Sequence, residues 1–434
     1  MSHSFSISYV KEMEQYLDAN IKILRGKISE FASTNQTFDL KKALHYYVID
    51  TLGELAFSQT FCIQVSNDES RVPPVIEHSL LAAVTGAWPM MTARLKRWLP
   101  LVPHKGLNAL FEGRKACADL ASRCVNVRLN VLRNSSDSKT SGPERKDILT
   151  NLINVKHPDT GKHLTQTDLE TEAFGFMCAP PQVPHFETCR PKRLTLLSNS
   201  IAGTHTTSAT TTLLFHHLLH HPDVMAKCVA EIDTNLPPLQ KEESAYAVTA
   251  AESSLPYLRN CMKENFRVTP VFTMPLARRV MKPEGVVIAG NHIPYGVSAT
   301  QPIQSQVLIR SIKTSIAVCN HAFHHNPEVF GVDHNIFNPA RWDDPEIANK
   351  SKLLMHFGLG GRQCIGKTVA MTNIYKLMST LLSEFEFELA DEKERGSSTI
   401  EGASTDIPEL ISVGISDLAS PLMVKASKRK RVIP

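Results

Sequence analysis

A mainly α-helical fold with small β-sheets is predicted by three observations. Apolar residues recur at three- and four-residue steps through most of the first two thirds of the chain. β-rich segments are few and short, and the Gly-bounded "EGVVIAGNHIP" (284–294) reads as a small hairpin. No period of self-similarity appears, which removes repeat architectures. The 434 residues suffice for a large core, whether as one big domain or as two or three small ones. With 47 Lys and Arg against 43 Asp and Glu, the net charge of +4 is too slight to make nucleic acid the main partner.

Taken in order, the first element is a helix marked by Tyr9, Met13, Leu17, Ile21 and Leu24. No uninterrupted apolar region precedes it, so it does not read as a signal peptide. "DLKKALHYYVIDTLGELAFS" (39–58) has an acid at its start and helical spacing, and "LFEGRKACADLASRCVNVRLNVLRN" (110–134) repeats the pattern. Between them the most apolar window, Leu80 to Met91, is interrupted by Gly86 and Pro89 and falls well short of the roughly 20 residues that span a bilayer. Asn134 to Asp147 is polar and rich in breakers, hence a loop. A helix resumes over "DILTNLINVK" (147–156), and another opens after Thr165 as N-cap. "IAGTHTTSATTTLLFHHLL" (201–219) is a Thr-rich helix, and "IGKTVAMTNIYKLMSTLLSEF" (365–385) is periodic from Val369 through Met378 and Leu382.

Two segments break the pattern around them: Cys178 to Ser200, with four prolines, and Ala299 to Ser315, which follows a turn. Nine cysteines without regular spacing read as reduced thiols of a cytosol-facing protein. The basic cluster Lys425 to Arg431 reads as a solvated C-terminal tail over 425–434. In "FHHLLHH", His216 with His220 and His217 with His221 stand at i and i+4, a geometry able to hold a metal; without a third ligand it reads as a solvated helix end before Pro222. The Thr run over 206–212 reads as helix packing beyond Thr206.

"HFGLGGRQCIGKTVA" (356–370) surrounds Cys364 with Gly358, Gly360, Gly361 and Gly366. So many glycines suggest a loop that takes φ > 0 or lets a bulky group approach its backbone. A thiolate ligand needs positive charge and N–H donors, which Arg362, the loop backbone and the start of the following helix can supply. Three other readings stand beside that one. A nucleophilic cysteine would need a positioned base, and His356 lies eight residues away; a zinc site would need more ligands; an inert buried thiol needs nothing.

Phe357, Gly360, Arg362, Cys364 and Gly366 resemble, position for position, the F-x-x-G-x-R-x-C-x-G haem signature of the cytochrome P450 family, and Ala370 matches its usual continuation. Three further motifs agree in order. "ENFR" resembles E-x-x-R and places Glu264 and Arg267 on one helix face, although alone it would read as a surface ion pair. Arg341 in "FNPARW" resembles the arginine that completes a buried structural network with that pair. "AGTHTT" is similar to the oxygen-binding kink of the family's long central helix, with Ala202 and Gly203 making room for dioxygen and Thr206 steadying protons. His205 departs from the usual Asp or Glu, and an imidazole can still relay protons.

The resemblance implies a cytochrome P450 fold, haem as cofactor, and Cys364 as its axial metal ligand, a thiolate that pushes electron density onto iron and favours O–O cleavage. Arg362 and Arg278 would meet the propionates, with Arg279 open as a substitute for Arg278. The implied reaction inserts one oxygen atom from O2 into an apolar small molecule, with electrons from NADPH-cytochrome P450 reductase on the cytosolic face of the endoplasmic reticulum. The similarity is greatest to the fungal branch acting on small metabolites. Members of that branch carry an N-terminal anchor and a W-x-x-x-R segment ahead of the point where this sequence starts. Against the family pattern, 178–200 and 299–315 read as insertions, such as intronic sequence read through or a degenerate paralogue. The alternative function is accordingly a haem-free remnant acting as a binding protein; the missing segment favours it and the intact cysteine loop opposes it.

Overall fold

The computed structural model describes residues 5–74, 80–81, 98, 101–137, 145–156, 161–177, 203–273, 280, 282–295, 317–390, 405–412 and 414–431. Both candidate insertions, 178–200 and 299–315, lie outside the described residues, as do Ala202, Arg278 and Arg279.

The first expected helix is two. α1 (Ile7–Glu12) and α2 (Glu14–Thr34) meet at Met13, whose φ of −91° and ψ of −1° break the helical run. Met13, Leu17, Ile21, Leu24 and Ile28 are buried at three- and four-residue steps, as the spacing predicts. Tyr9 instead lies at the edge, its hydroxyl donating to the carbonyl of Asp147 at 2.9 Å. α3 (Leu40–Phe57) starts where the Asp39 side chain accepts the Lys42 amide. α4 (Ile63–Ser66) is anchored by the buried Asp50 carboxylate, which accepts the amides of Ile63 and Gln64 at 3.0 and 2.8 Å.

α5 (Lys105–Asp137) continues four residues into the stretch that reads as loop. α6 (Ile148–Asn154) is capped by Asp147, and α7 (Gln166–Met177) follows Thr165 in a reciprocal box. Thr165 Oγ1 accepts the Asp168 amide at 3.2 Å while the Asp168 carboxylate accepts the Thr165 amide at 3.0 Å. These elements pack with α1 and part of α3 into one apolar cluster around Phe57, Cys117, Val125, Leu149 and Leu152.

The larger core is built by α2 and α3 with α8 (His205–His220), α9 (Pro222–Asn235), α10 (Val248–Ser254), α11 (Pro256–Val268) and, after the short α12 (Asn320–His324), α13 (Pro327–Phe330) and α14 (Pro345–Ala348), by α15 (Lys367–Glu384). α8 is buried on every side from Thr207 to Leu218. Its threonines are tolerated there because Thr210 and Thr211 donate to the carbonyls of Thr206 and Thr207 at 2.7 and 2.8 Å. α15 carries a fully buried Lys376, whose ammonium meets Glu14 at 2.6 Å, Asp18 at 2.7 Å and the Tyr246 carbonyl at 2.8 Å. That cluster ties α15 to α2, because a buried ammonium without its carboxylates would carry a large desolvation cost.

Three small antiparallel sheets complete the described fold. β1 (Phe38–Asp39) is an edge strand; β2 (Val286–Ile288) and β3 (Asn291–Ile293) form the expected hairpin, with Val286 opposite Ile293. β4 (Phe385–Leu389) follows α15, and β5 (Leu410–Ser412) pairs with β6 (Ser416–Leu418). β7 (Met423–Lys428) lies between β1 and β4. The expected solvated tail over 425–434 is thus corrected for its described part. Val424 and Ala426 point into the core while Lys425 and Ser427 face out, the alternation of a strand with one wet face. Beyond it Arg429 and Arg431 grip Asp233 at 2.5 and 2.9 Å. Among the described residues no helix is long and apolar enough to cross a membrane.

Candidate active site

The cysteine loop leads into α15. Gly358 and Gly360 both adopt φ of +69°, the left-handed region that favours glycine. A Cβ added at Gly360 or Gly361 would meet no described atom within 4 Å, so packing inside the described protein does not demand glycine at 361. The Cys364 amide donates to the Phe357 carbonyl at 2.7 Å, which closes the loop on itself. Gly366 caps α15, so the half-buried Cys364 sits immediately ahead of a long helix. Burial pushes its thiol up, while hydrogen bonds from the amides of Gly366 and Lys367 and the Lys367 charge pull against that shift.

The donor set fits an axial ligand. A thiol raised by burial stays protonated until a metal displaces the proton, and amides aimed at the sulfur then share the thiolate's charge. Phe357 backs the loop, edge-on to Phe266 at 5.4 Å and 5.9 Å from the Lys367 ammonium. His356 stacks on Phe266 at 3.9 Å, and burial holds its imidazole neutral. Neither contact presents His356 as a base to Cys364. The 3-10 turn Gly360–Arg362 places the backbone of Arg362, whose side chain lies outside the described set.

Glu264, Arg267 and Arg341 are brought together and buried. Arg267 reaches Glu264 at 2.7 Å along α11, and Arg341, from the 3-10 turn Pro339–Asp343, reaches the same carboxylate at 2.9 Å. The network has two further members: Asp333, which carried no sequence signal and lies 2.8 Å from Arg341, and Trp342 of the same motif, whose Nε1 donates to Glu264 at 2.9 Å.

At the start of α8, Gly203 and Thr204 form the turn, His205 is buried and Thr206 is half-buried. His205 Nε2 lies 3.3 Å from Asp417 Oδ2 on β6, and Asp417 lies 3.1 Å from the Lys41 ammonium on α3. Asp417 and Lys41 were missed from sequence. They stand more than 160 residues from His205, and only the need of a buried imidazole for a partner hints that some acceptor must exist.

The second histidine motif corrects the expected solvated helix end. His216 and His217 are buried, His217 stacks on Phe337 with ring centroids 4.4 Å apart, and its Nε2 pairs with Thr269 Oγ1 at 3.2 Å. His221 bonds Asp406 at 3.0 Å. No cluster able to hold a metal ion occurs among the described residues.

Residues 1–181 and 192–412 match the family model for cytochrome P450. A cytochrome P450 monooxygenase of Aspergillus flavus is 26% identical over 405 residues, covering 90% of this chain and 68% of that protein. One from Alternaria alternata is 25% identical over 401 residues, covering 90% of this chain and 92% of its own. The pisatin demethylase of Fusarium vanettenii is 24% identical over 401 residues, covering 89% and 64%. A crystal structure of a cytochrome P450 shares the fold with a TM-score of 0.69 at 17% identity, covering 99% of this chain and 80% of that one. The chain belongs to the cytochrome P450 family of haem-thiolate monooxygenases.

Proposed function

We propose that the protein inserts one oxygen atom from O2 into an apolar organic substrate of fungal secondary metabolism, with Cys364 as the residue that would ligate haem. The carrying observation is Cys364 itself, half-buried immediately ahead of α15 in a loop that its own amide closes on the Phe357 carbonyl at 2.7 Å. Haem held there would supply the activation of dioxygen. This chain's residues do the rest. The loop amides would stabilise thiolate charge, and by resemblance Arg362 and Arg278 would neutralise the propionates. The Glu264, Arg267 and Arg341 network fixes α11 against the segment that leads into the cysteine loop. By resemblance to the family motif Ala202 and Gly203 would make room for dioxygen, and at the start of α8 His205 and the Thr206 hydroxyl would hold and pass protons. Electrons would arrive from NADPH-cytochrome P450 reductase docked near Cys364, at the cytosolic face of the endoplasmic reticulum. The fungal source of the similar proteins supports the metabolic setting.

The test is turnover with that reductase and NADPH under isotopically labelled dioxygen, over a panel of apolar aromatic and polyketide-like compounds. A product carrying one labelled oxygen atom is expected. Products that carry oxygen only from water would overturn the reading.

A further inference from the structure

His205 is asymmetric in its surroundings. Its Nε2 lies 3.3 Å from Asp417 Oδ2, while its Nδ1, also buried, finds no hydrogen-bond partner among the described residues. The neighbouring Thr204 Oγ1 is buried and unpartnered among them as well. Asp417 is itself fixed by two contacts besides His205. Its Oδ2 meets the Lys41 ammonium at 3.1 Å, its Oδ1 accepts the Leu418 amide at 2.8 Å, and Lys41 is held in turn by the Leu418 carbonyl at 2.5 Å. The other titratable group facing the ring is His45 on α3, edge-on with centroids 6.5 Å apart and brought down to about 4 chiefly by burial, hence neutral near pH 7. Burial works against the Asp417 carboxylate, but the His205 bond and the Lys41 charge outweigh it and hold Asp417 below the usual carboxylate range.

An ionised carboxylate can only accept, so the His205–Asp417 bond requires the proton on Nε2. The second ring nitrogen is then the one free to exchange. We propose that Asp417, steadied by Lys41, is a positioning residue that holds His205 as the Nε2–H tautomer and makes Nδ1 the nitrogen that delivers protons at the start of α8. This rests on the proton-handling role of His205 and Thr206 proposed above. The balance is simple. The imidazolium gives its Nδ1 proton to the oxygen atom of O2 that leaves as water in the proposed reaction, the N–H bond breaking as an O–H bond forms, and remains a neutral Nε2–H ring bonded to Asp417. Water returns one proton to Nδ1 between turnovers, and the carboxylate neither gains nor loses one.

The tautomer can be read directly by nitrogen NMR of the full chain labelled in histidine, reduced and bound to carbon monoxide so that the iron is diamagnetic, with His205→Gln assigning the signal. The wild type should show a single Nε2–H form, Asp417→Asn a mixture, and Asp417→Glu a return towards the single form. With a substrate from the panel, the share of NADPH ending in oxygenated product should fall on the order of tenfold in Asp417→Asn, less than loss of a whole general acid would cost. In a His205→Gln background, which already lacks the general acid, Asp417→Asn should lower it little further. If Asp417→Asn does not fold, Asp417→Ala, which removes the acceptor, should still mix the tautomers. An Nδ1–H wild type, a signal indifferent to both variants, or mixed tautomers with unchanged coupling would each overturn the proposal. Failure of the haem reading shows separately, as a wild type without a carbon monoxide band; the tautomer measured on that same chain still decides whether Asp417 sets it.

Discussion

Glu264 is fully buried, and its two oxygens take five donors: Nε and Nη2 of Arg267, Nε of Arg341, Nε1 of Trp342 and the Asn338 amide. Arg267 in turn donates to the carbonyls of His324, His334 and Ile336. Removing its guanidinium leaves a buried carboxylate short of charge and three carbonyls short of donors, a change that typically costs about 3–5 kcal/mol. Arg267→Ala should therefore yield aggregated, haem-poor protein, measured as soluble yield and haem content. A soluble variant with full haem and altered turnover alone would show the network to be catalytic instead. The i, i+3 spacing and Arg341 were legible in sequence because the motif is local. Asp333 and Asn338 were not, since a carboxylate or an amide in a loop looks the same whether buried or wet.

The end of α8 shows why an element can be placed correctly and its environment misjudged. Periodicity located the helix, and residue type suggested water around its histidines; a neutral His217 stacked on Phe337 beside a buried His216 is the finding. Burial lowers His216 to about 3 and His217 well below its ordinary value. Each charges more readily unfolded than folded, so the unfolded chain binds more protons below about pH 6.5 and stability falls as pH drops from there towards 3. His216→Phe should flatten that slope by a few kcal/mol at most, read as midpoint denaturant concentration against pH. An unchanged slope would mean that the ring is not buried neutral. His221 behaves oppositely. Burial opposes its charge, but the bond to Asp406 prevails, so His221 is raised and Asp406 lowered. The pair's contribution is present between the two folded values, lost as pH rises through that of His221 and lost again as it falls through that of Asp406. His221→Gln should remove stability at pH 6 and little at pH 9.

Over the whole molecule, the helical frame and the β2–β3 hairpin follow from local periodicity and turn chemistry, whereas β7 does not. A strand of "MVKASK" composition reads as a tail until the pairing with β1 and β4, set by residues far away in sequence, buries Val424 and Ala426. The segments 178–200 and 299–315 read as dispensable: the first carries four prolines, each costing about 3 kcal/mol inside a helix, and the second follows a turn without a clear partner. Deleting both should raise haem content and melting temperature, and a fall in both would make them integral to the fold. The central claim, thiolate ligation by Cys364, is tested most directly by the absorbance spectrum of the reduced, carbon monoxide-treated protein. The wild type should show the thiolate-type Soret band and Cys364→Ser should lose it; the same band in both would contradict the assignment.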